Sequence, residues 1–237
     1  TVLFQRAADI PAKVEEGAVD LGISGLDQFS EVHVEKSEGL SIIDDLGYRR
    51  ASLVVAIPEN WSDITGTSDL LKVSTELKEK GQQLRVATKY PNLVGKYLQD
   101  CGVEDFMLVE AGGTIEAAPA MGYADIIADI TSTGATLREN RLKTIKHGTV
   151  FTSQACLLGN LKRLGDRSEV LDSTKPLLEL IEARLRAATY YSIIANIRGD
   201  SPDEVASHIK ARPEIAGMQG PTIAPVYSRN EDAKWYA

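Results

Sequence analysis

Short apolar runs alternating with amphipathic or turn-rich stretches set the rhythm of this chain. Residues 51–57 (ASLVVAI) are apolar at nearly every position, as expected of a central strand covered on both faces. Runs at 19–23, 84–88, 106–110, 124–130 and 154–159 read as further strands, and 2–4 as one more. Between them, helices are predicted from Asp9-Ile10-Pro11, after Ser24-Gly25-Leu26-Asp27, and over 91–101, 114–121 and 135–140. Pro11 suits a first helical position, where a missing N–H costs nothing, and Gly17 suits a helix end. Strand and helix in quick alternation predict an α/β chain with largely parallel sheets.

From residue 172 a longer helix is predicted, with Leu177, Leu178, Ile181, Leu185 and Ala188 on one packing face. The character then changes. Residues 190–197 read as a strand, and Ser201-Pro202 with Glu204 reads as a capping box opening a helix over 202–211. A turn and strand over 217–227, and a further strand from 235, complete a small α+β module. The turn formers of 58–68 mark the best boundary between two α/β lobes. The first lobe then comprises 1–57 with 150–172, the second 58–149, with a connecting helix at 173–189 and the module at 190–237.

Composition narrows the function classes. The 237 residues carry 34 acidic and 26 basic side chains, a net charge of −8, without the basic surplus a nucleic-acid partner requires. A few local donors can still hold a phosphorylated small molecule. Cys101 and Cys156 stand far apart in no metal-ligand spacing, in apolar contexts that suit core residues and a reducing compartment. His33, His147 and His208 are isolated, which favours structural or surface roles. The longest apolar runs are far too short to span a bilayer, and no signal peptide is visible. The chain opens and closes inside strand-like segments, so it reads as truncated at both ends.

The segment richest in chemistry is Asp129-Ile130-Thr131-Ser132-Thr133-Gly134-Ala135-Thr136-Leu137, which follows an apolar strand. The strand delivers one carboxylate, and a hydroxyl-and-glycine loop then opens a helix. Free N–H groups at a helix start favour anions, Ser132, Thr133 and Thr136 add hydroxyl donors, and Gly134 allows a positive φ. Phosphate donors beside an acceptor for a sugar diol are what a phosphorylated ribose needs. Ser-Thr-Gly alone is commonly no more than a capped turn.

This run resembles the signature of the ATP phosphoribosyltransferases, together with Glu116-Ala117-Ala118-Pro119 and Gly122-Tyr123-Ala124-Asp125 before it. Three further segments match that family in order: Arg6 with Asp9-Ile10-Pro11, Asp20 to Asp27, and Ala87-Thr88-Lys89-Tyr90-Pro91-Asn92-Leu93. Gly220-Pro221-Thr222-Ile223-Ala224-Pro225 resembles the regulatory module of the family's long form.

The resemblance implies two lobes of type II periplasmic-binding-protein-like architecture, crossed twice by the chain, plus a partial ferredoxin-like module. It implies condensation of ATP, through adenine N1, with phosphoribosyl pyrophosphate. The products would be phosphoribosyl-ATP and pyrophosphate, the first step of histidine biosynthesis, with Mg²⁺ as cofactor. It places Asp129, Ser132, Thr133, Gly134, Ala135 and Thr136 on phosphoribosyl pyrophosphate, and Arg6, Asp27, Tyr90 and Glu116 on ATP or phosphates. Met218 and Thr222 would lie near histidine as feedback inhibitor. Read alone, Arg6 could equally be a solvent-facing arginine, and Glu116 a charge favouring a helix start.

The resemblance further implies a homo-oligomer, dimer to hexamer, without nucleic acid or membrane. The location would be the cytoplasm, or the plastid in a plant or alga. The family's first strand and its basic loop are not in the sequence, and the module lacks its second half. Three other readings compete: a salvage phosphoribosyltransferase, a solute-binding protein, or a non-catalytic regulatory subunit. The first typically carries two adjacent acidic residues where Ala128 and Asp129 stand here.

Overall fold

A computed structural model describes residues 1–34, 37–110, 114–188, 190–215, 220–227 and 234–237. Two compact units emerge, Thr1–Leu185 and Arg186–Ala237. Along the first, a 3-10 turn (Ala7–Asp9) leads into α1 (Ile10–Glu15), β1 (Leu21–Gly25), α2 (Leu26–Val32) and β2 (Gly39–Ile43). Then follow β3 (Ala51–Pro58), α3 (Thr67–Glu79), β4 (Leu84–Thr88), α4 (Pro91–Asp100) and β5 (Phe106–Glu110). A 3-10 turn (Ile115–Ala117) precedes β6 (Ile126–Thr131), α5 (Ala135–Glu139), β7 (Leu142–Ser153), β8 (Ala155–Asn160), α6 (Leu161–Asp166) and α7 (Ser168–Ala187).

The first unit carries two sheets and therefore two lobes. One sheet has the order β1-β8-β2 and the other β5-β4-β6-β3-β7. In the larger sheet the apolar alternation of β3 serves both faces. Leu53, Val55 and Ile57 join Leu70, Leu84, Val86 and Ile126 on one side, and Val54 and Ala56 join Ala87, Ile127 and Leu137 on the other. The strand read as central is central, with Leu53 to Ile57 all buried.

The expected parallel sheets are only partly found. β4 runs parallel to β5 and β6, but β3 is antiparallel to both its neighbours, and the smaller sheet is antiparallel throughout. The cause is the double crossing between lobes. β3 and β8 each enter their sheet from the hinge and so run against the strands that lead towards it. The two crossings lie side by side: Leu46 N–H donates to Ala155 O (2.9 Å) and Ala155 N–H to Tyr48 O (3.0 Å).

That hinge also moves the lobe boundary. Residues 51–57, read as first lobe, form β3 of the second sheet, and 150–153 belong to β7 of that same sheet. The turn-rich 58–68 stretch is a connection within the second lobe, ending where Asp69 accepts from the Thr65 and Gly66 N–H groups at the start of α3.

Other local readings change too. Residues 2–4 are irregular and exposed, the helix read over 114–121 shrinks to the turn Ile115–Ala117, and β2 and β7 had no clear apolar signal. α7 starts four residues earlier than read. Its Leu178, Ile181 and Leu185 are half-buried in line with Thr174, whereas Leu177 lies off that face and is exposed.

The second unit comprises β9 (Ile197–Arg198), α8 (Pro202–Lys210), β10 (Pro225–Val226) and β11 (Trp235–Tyr236). The sheet order is β10-β11-β9, antiparallel, so β9-α8-β10 is a split β–α–β unit with β11 between its strands. This is the expected partial ferredoxin-like arrangement. Of the strand read at 190–197 only Ile197 is in the sheet, where it pairs together with the following Arg198. Ser201 caps α8 by accepting from Glu204 N–H, and the Glu204 carboxylate reaches back to Asp200 N–H.

Candidate functional site

Buried Ile126, Ile127 and Ala128 hold β6 in the second sheet, so the strand end presents Asp129 in a fixed direction. The chain turns through Ser132 to Gly134 into α5. Gly134 sits at φ +70°, ψ 10°, the left-handed region that glycine occupies without steric cost. Its N–H donates to Thr131 Oγ1 (2.9 Å), and Ala135 N–H donates more weakly to Thr133 Oγ1 (3.4 Å). No side chain caps α5, and Ser132, Thr133, Ala135 and Thr136 are exposed. The loop is thus preformed by its own hydroxyls and leaves helix-start donors open to solvent.

Asp129 is half-buried, and its Oδ1 accepts from Ile130 N–H (2.8 Å). Burial pushes its carboxyl above the ordinary value of 3.8. The Ile130 N–H opposes this, Glu116 on the Ile115–Ala117 turn adds to it, and Lys89 opposes it. Glu116 and Asp129 therefore share one electrostatic neighbourhood, and Lys89, absent from the sequence-based site, belongs to it. A lysine directly after a buried strand and before Tyr90 was the available signal.

That geometry makes a prediction about pH. Glu116→Gln removes one cause of the upward shift, so the Asp129 carboxyl should ionise at lower pH than in the parent. A ¹³C-detected NMR titration of the Asp129 carboxyl checks it. An unchanged midpoint would separate the two residues.

Asp27 and Tyr90 lie together where the lobes meet. Asp27 retains 8% exposure, and its carboxylate accepts three hydrogen bonds. Ser153 Oγ donates to Oδ1 (2.5 Å), while Tyr90 Oη (2.6 Å) and Gln28 Nε2 (2.9 Å) donate to Oδ2. Asp27 N–H in turn donates to Ser153 Oγ (3.0 Å). Burial works against the charge, but the Ser153, Tyr90 and Gln28 bonds outweigh it and hold the carboxyl below its ordinary value. Burial, the hydrogen bond to Asp27 and the Asp27 charge push the Tyr90 phenol well up, and the Asp129 charge adds to that rise.

Arg6 is exposed, just before the Ala7–Asp9 turn. That turn is tied to the end of β1 by Ser24 Oγ donating to Ala7 O (2.7 Å). Asp27, Tyr90, Glu116 and Asp129 are thus drawn into one region by contact or charge. Thr222 is exposed in an irregular segment of the second unit, and Met218 lies outside the described residues. Ser153 and Gln28 carry no sequence signal for this cluster, since Ser153 meets Asp27 across 126 positions. Among the described residues no group of three or more His, Cys, Asp or Glu could hold a metal ion, and no helix is long and apolar enough to cross a membrane.

Fold and site together define a two-lobed α/β protein with a glycine-hydroxyl loop at the end of a strand, beside the contact between its lobes. Its sequence matches the family HisG: ATP phosphoribosyltransferase over residues 6–185, and the chain belongs to that family. It is 39% identical over 228 residues to ATP phosphoribosyltransferase 1, chloroplastic, of Arabidopsis thaliana, covering 95% of this chain and 55% of that protein. It is 40% identical over 188 residues to the ATP phosphoribosyltransferase of Brucella melitensis, covering 78% of each. Among solved structures, the ATP phosphoribosyl transferase (HisG:HisZ) complex from Thermotoga maritima is similar, with TM-score 0.59 and 26% identity over 77% of this chain and 79% of that one. The chain spans about half the length of the Arabidopsis relatives it matches, 55% and 56%.

Proposed function

We propose that this chain condenses ATP with phosphoribosyl pyrophosphate to phosphoribosyl-ATP and pyrophosphate, the opening step of histidine biosynthesis. The observation that carries the reading is the Asp129-to-Thr136 strand, loop and helix start in a chain of this family. In that reading Asp129 accepts from the ribose hydroxyls, and the N–H groups and hydroxyls of Ser132, Thr133, Gly134, Ala135 and Thr136 take the 5-phosphate. Arg6 and Lys89 supply positive charge to the phosphates. Tyr90, Asp27 and Glu116 line the approach of ATP.

The adenine N1 lone pair forms a bond to the anomeric carbon as the carbon–oxygen bond to pyrophosphate breaks, the electron pair leaving on the pyrophosphate oxygen. N1 carries its own lone pair, so no side chain is required as base at that step. The protein's contribution is alignment and charge compensation. Among the described residues no cluster of three or more His, Cys, Asp or Glu could hold Mg²⁺, so it would be held mainly by the substrate's own oxygens and by water, with Asp129 and Glu116 as the carboxylates available to it. When bound, Mg²⁺ supplies charge neutralisation at the pyrophosphate.

The second unit is read as a sensor for histidine, with Thr222 and Met218 near the effector, and the working form as a homo-oligomer of dimers up to a hexamer. The chloroplastic location of the Arabidopsis relatives supports a plastid location if the source is a plant or alga; in a microbe the reading is cytoplasmic.

Titration calorimetry with phosphoribosyl pyrophosphate, with and without Mg²⁺, and a pyrophosphate-release assay with ATP test the reading. Binding with ATP-dependent release is expected. Binding without release would leave a ligand-binding or regulatory protein, and no binding would reduce the loop to a structural turn.

A further inference from the structure

Beyond the substrate-binding residues, one acidic side chain of the first lobe is committed to the backbone of the second. α4 begins at Pro91, which has no N–H, and its N-cap residue Tyr90 makes no side-chain capping bond. The next two N–H groups, of Asn92 and Leu93, donate to Glu31 of α2: Asn92 N–H to Oε1 (2.8 Å) and Leu93 N–H to Oε2 (3.0 Å). Each carboxylate oxygen satisfies one orphan donor, and the negative charge sits at the positive end of the helix dipole.

The exchange is reciprocal. Asn92 Nδ2 donates to Glu31 O (2.8 Å), a carbonyl in the last turn of α2. Two helices from different lobes cap one another. One turn earlier on α2, Gln28 Nε2 donates to Tyr90 Oη (2.7 Å), and Asp27 accepts from it. The 27, 28 and 31 side of α2 therefore meets residues 90 to 93 through hydrogen bonds.

The location gives this seam its consequence. Tyr90 follows β4 after one residue, and Thr88 of β4 pairs with Ala128 of β6, immediately before Asp129. Thr88 Oγ1 also accepts from Tyr90 N–H (3.0 Å). The position of α4's first turn thus sets where Tyr90 stands relative to the Asp129 loop. A tie between lobes at that point sets the width of the space above the loop.

We propose that Glu31 is a positioning residue, which by exchanging caps with α4 holds the two lobes in the closed arrangement and Tyr90 beside the Asp129 loop. This rests on the proposed transferase reading for its kinetic consequence, but not for its structural one. The seam is directional, because the phosphoribosyl pyrophosphate contacts assigned above lie mainly on the second lobe. Loosening it should weaken a ligand gripped by both lobes, ATP, more than one gripped mainly by the Asp129 loop. If the closed arrangement falls to a tenth of the population, the apparent ATP constant rises about tenfold.

The test uses the whole chain, spin-labelled at Glu16→Cys on the first lobe and Lys80→Cys on the second, both exposed positions, with Cys101→Ser and Cys156→Ser removing the native thiols. Double electron–electron resonance is recorded for this parent, for Glu31→Ala, for Asn92→Ala and for the conservative Glu31→Gln, with KM measured for both substrates. The expected result is a broadened, lengthened distance distribution in Glu31→Ala, a smaller change in Asn92→Ala, and partial recovery in Glu31→Gln. KM for ATP should rise about tenfold against less than about twofold for phosphoribosyl pyrophosphate, whose assigned contacts are unaltered. Unchanged distributions in both alanine variants would overturn the proposal. So would a higher KM without any distance change, which would make Glu31 a substrate contact. A changed distribution in a protein that turns over neither substrate would uphold the latch and remove the transferase reading alone.

Discussion

Asp129→Ala should lower affinity for phosphoribosyl pyrophosphate at least about a hundredfold. A carboxylate accepting from two ribose hydroxyls contributes roughly 1.5–3 kcal/mol per bond, and each ~1.4 kcal/mol is tenfold in affinity. Asp129→Asn keeps one acceptor oxygen and should lose about tenfold. Thr133→Ala should lose less, since the Thr133 hydroxyl is already turned towards Ala135 N–H at 3.4 Å. Stability separates this loss from unfolding. Asp129 has its carboxyl raised above 3.8 by burial, so at neutral pH its charge is less favourable in the folded chain than in the unfolded one. Removing it should therefore leave the melting temperature unchanged or higher. Calorimetric titration beside differential scanning calorimetry reads both quantities, and equal affinities in parent and variant would withdraw Asp129 from the sugar.

Asp27→Ala should destabilise the chain by about 3 kcal/mol, the range for breaking a buried charged network by removing one partner. The reason is local. Ser153, Tyr90 and Gln28 each donate to the one carboxylate, and its removal leaves three donors facing one another in a nearly sealed contact. Asp27→Asn retains one acceptor and should fall between.

The sign with pH follows from the direction of the shift. The folded-state value is depressed below 3.8, so the stabilisation is present above about pH 4 and is lost as pH falls through the lower folded value. Urea unfolding at pH 7 and at pH 3 should therefore show the parent losing more stability than Asp27→Ala on acidification. Equal losses in the two chains would mean that Asp27 is not a charged hub.

The local chemistry of this site was readable because it is local. Asp129, the hydroxyls and Gly134 occupy one strand-to-helix connection of nine residues, where spacing along the chain nearly equals spacing in space. The near-continuous apolar runs of 51–57 and 124–130 likewise identified buried strands, because a strand covered on both faces needs apolar groups at nearly every position. What escaped was strand membership. β3 looks the same in either sheet, and the turn formers of 58–68 drew the boundary to the wrong side of it. β7 exposes several of its twelve positions, so it has no continuous apolar signal to find.

Asp27 marks the division between the two levels of information. Sequence order placed it at the start of a helix after a short strand, and family motifs drew it towards the cleft. That it is nearly sealed and bound to Ser153 and Tyr90 depends on the chain crossing between lobes at 44–50 and again at 154. Those crossings bring positions 126 and 63 residues apart into contact. The same holds for Glu31, an unremarkable helical acid until α4 arrives with two uncapped N–H groups.

By itself, the sequence determined the strand-loop-helix cradle, the α/β character and the family, since each is written in neighbouring residues or ordered motifs. Only the tertiary structure decided which sheet each strand joins and which polar groups meet across the lobes. Hydrogen bonds between distant residues form only when folding brings donor and acceptor together, and no periodicity along the chain records that encounter.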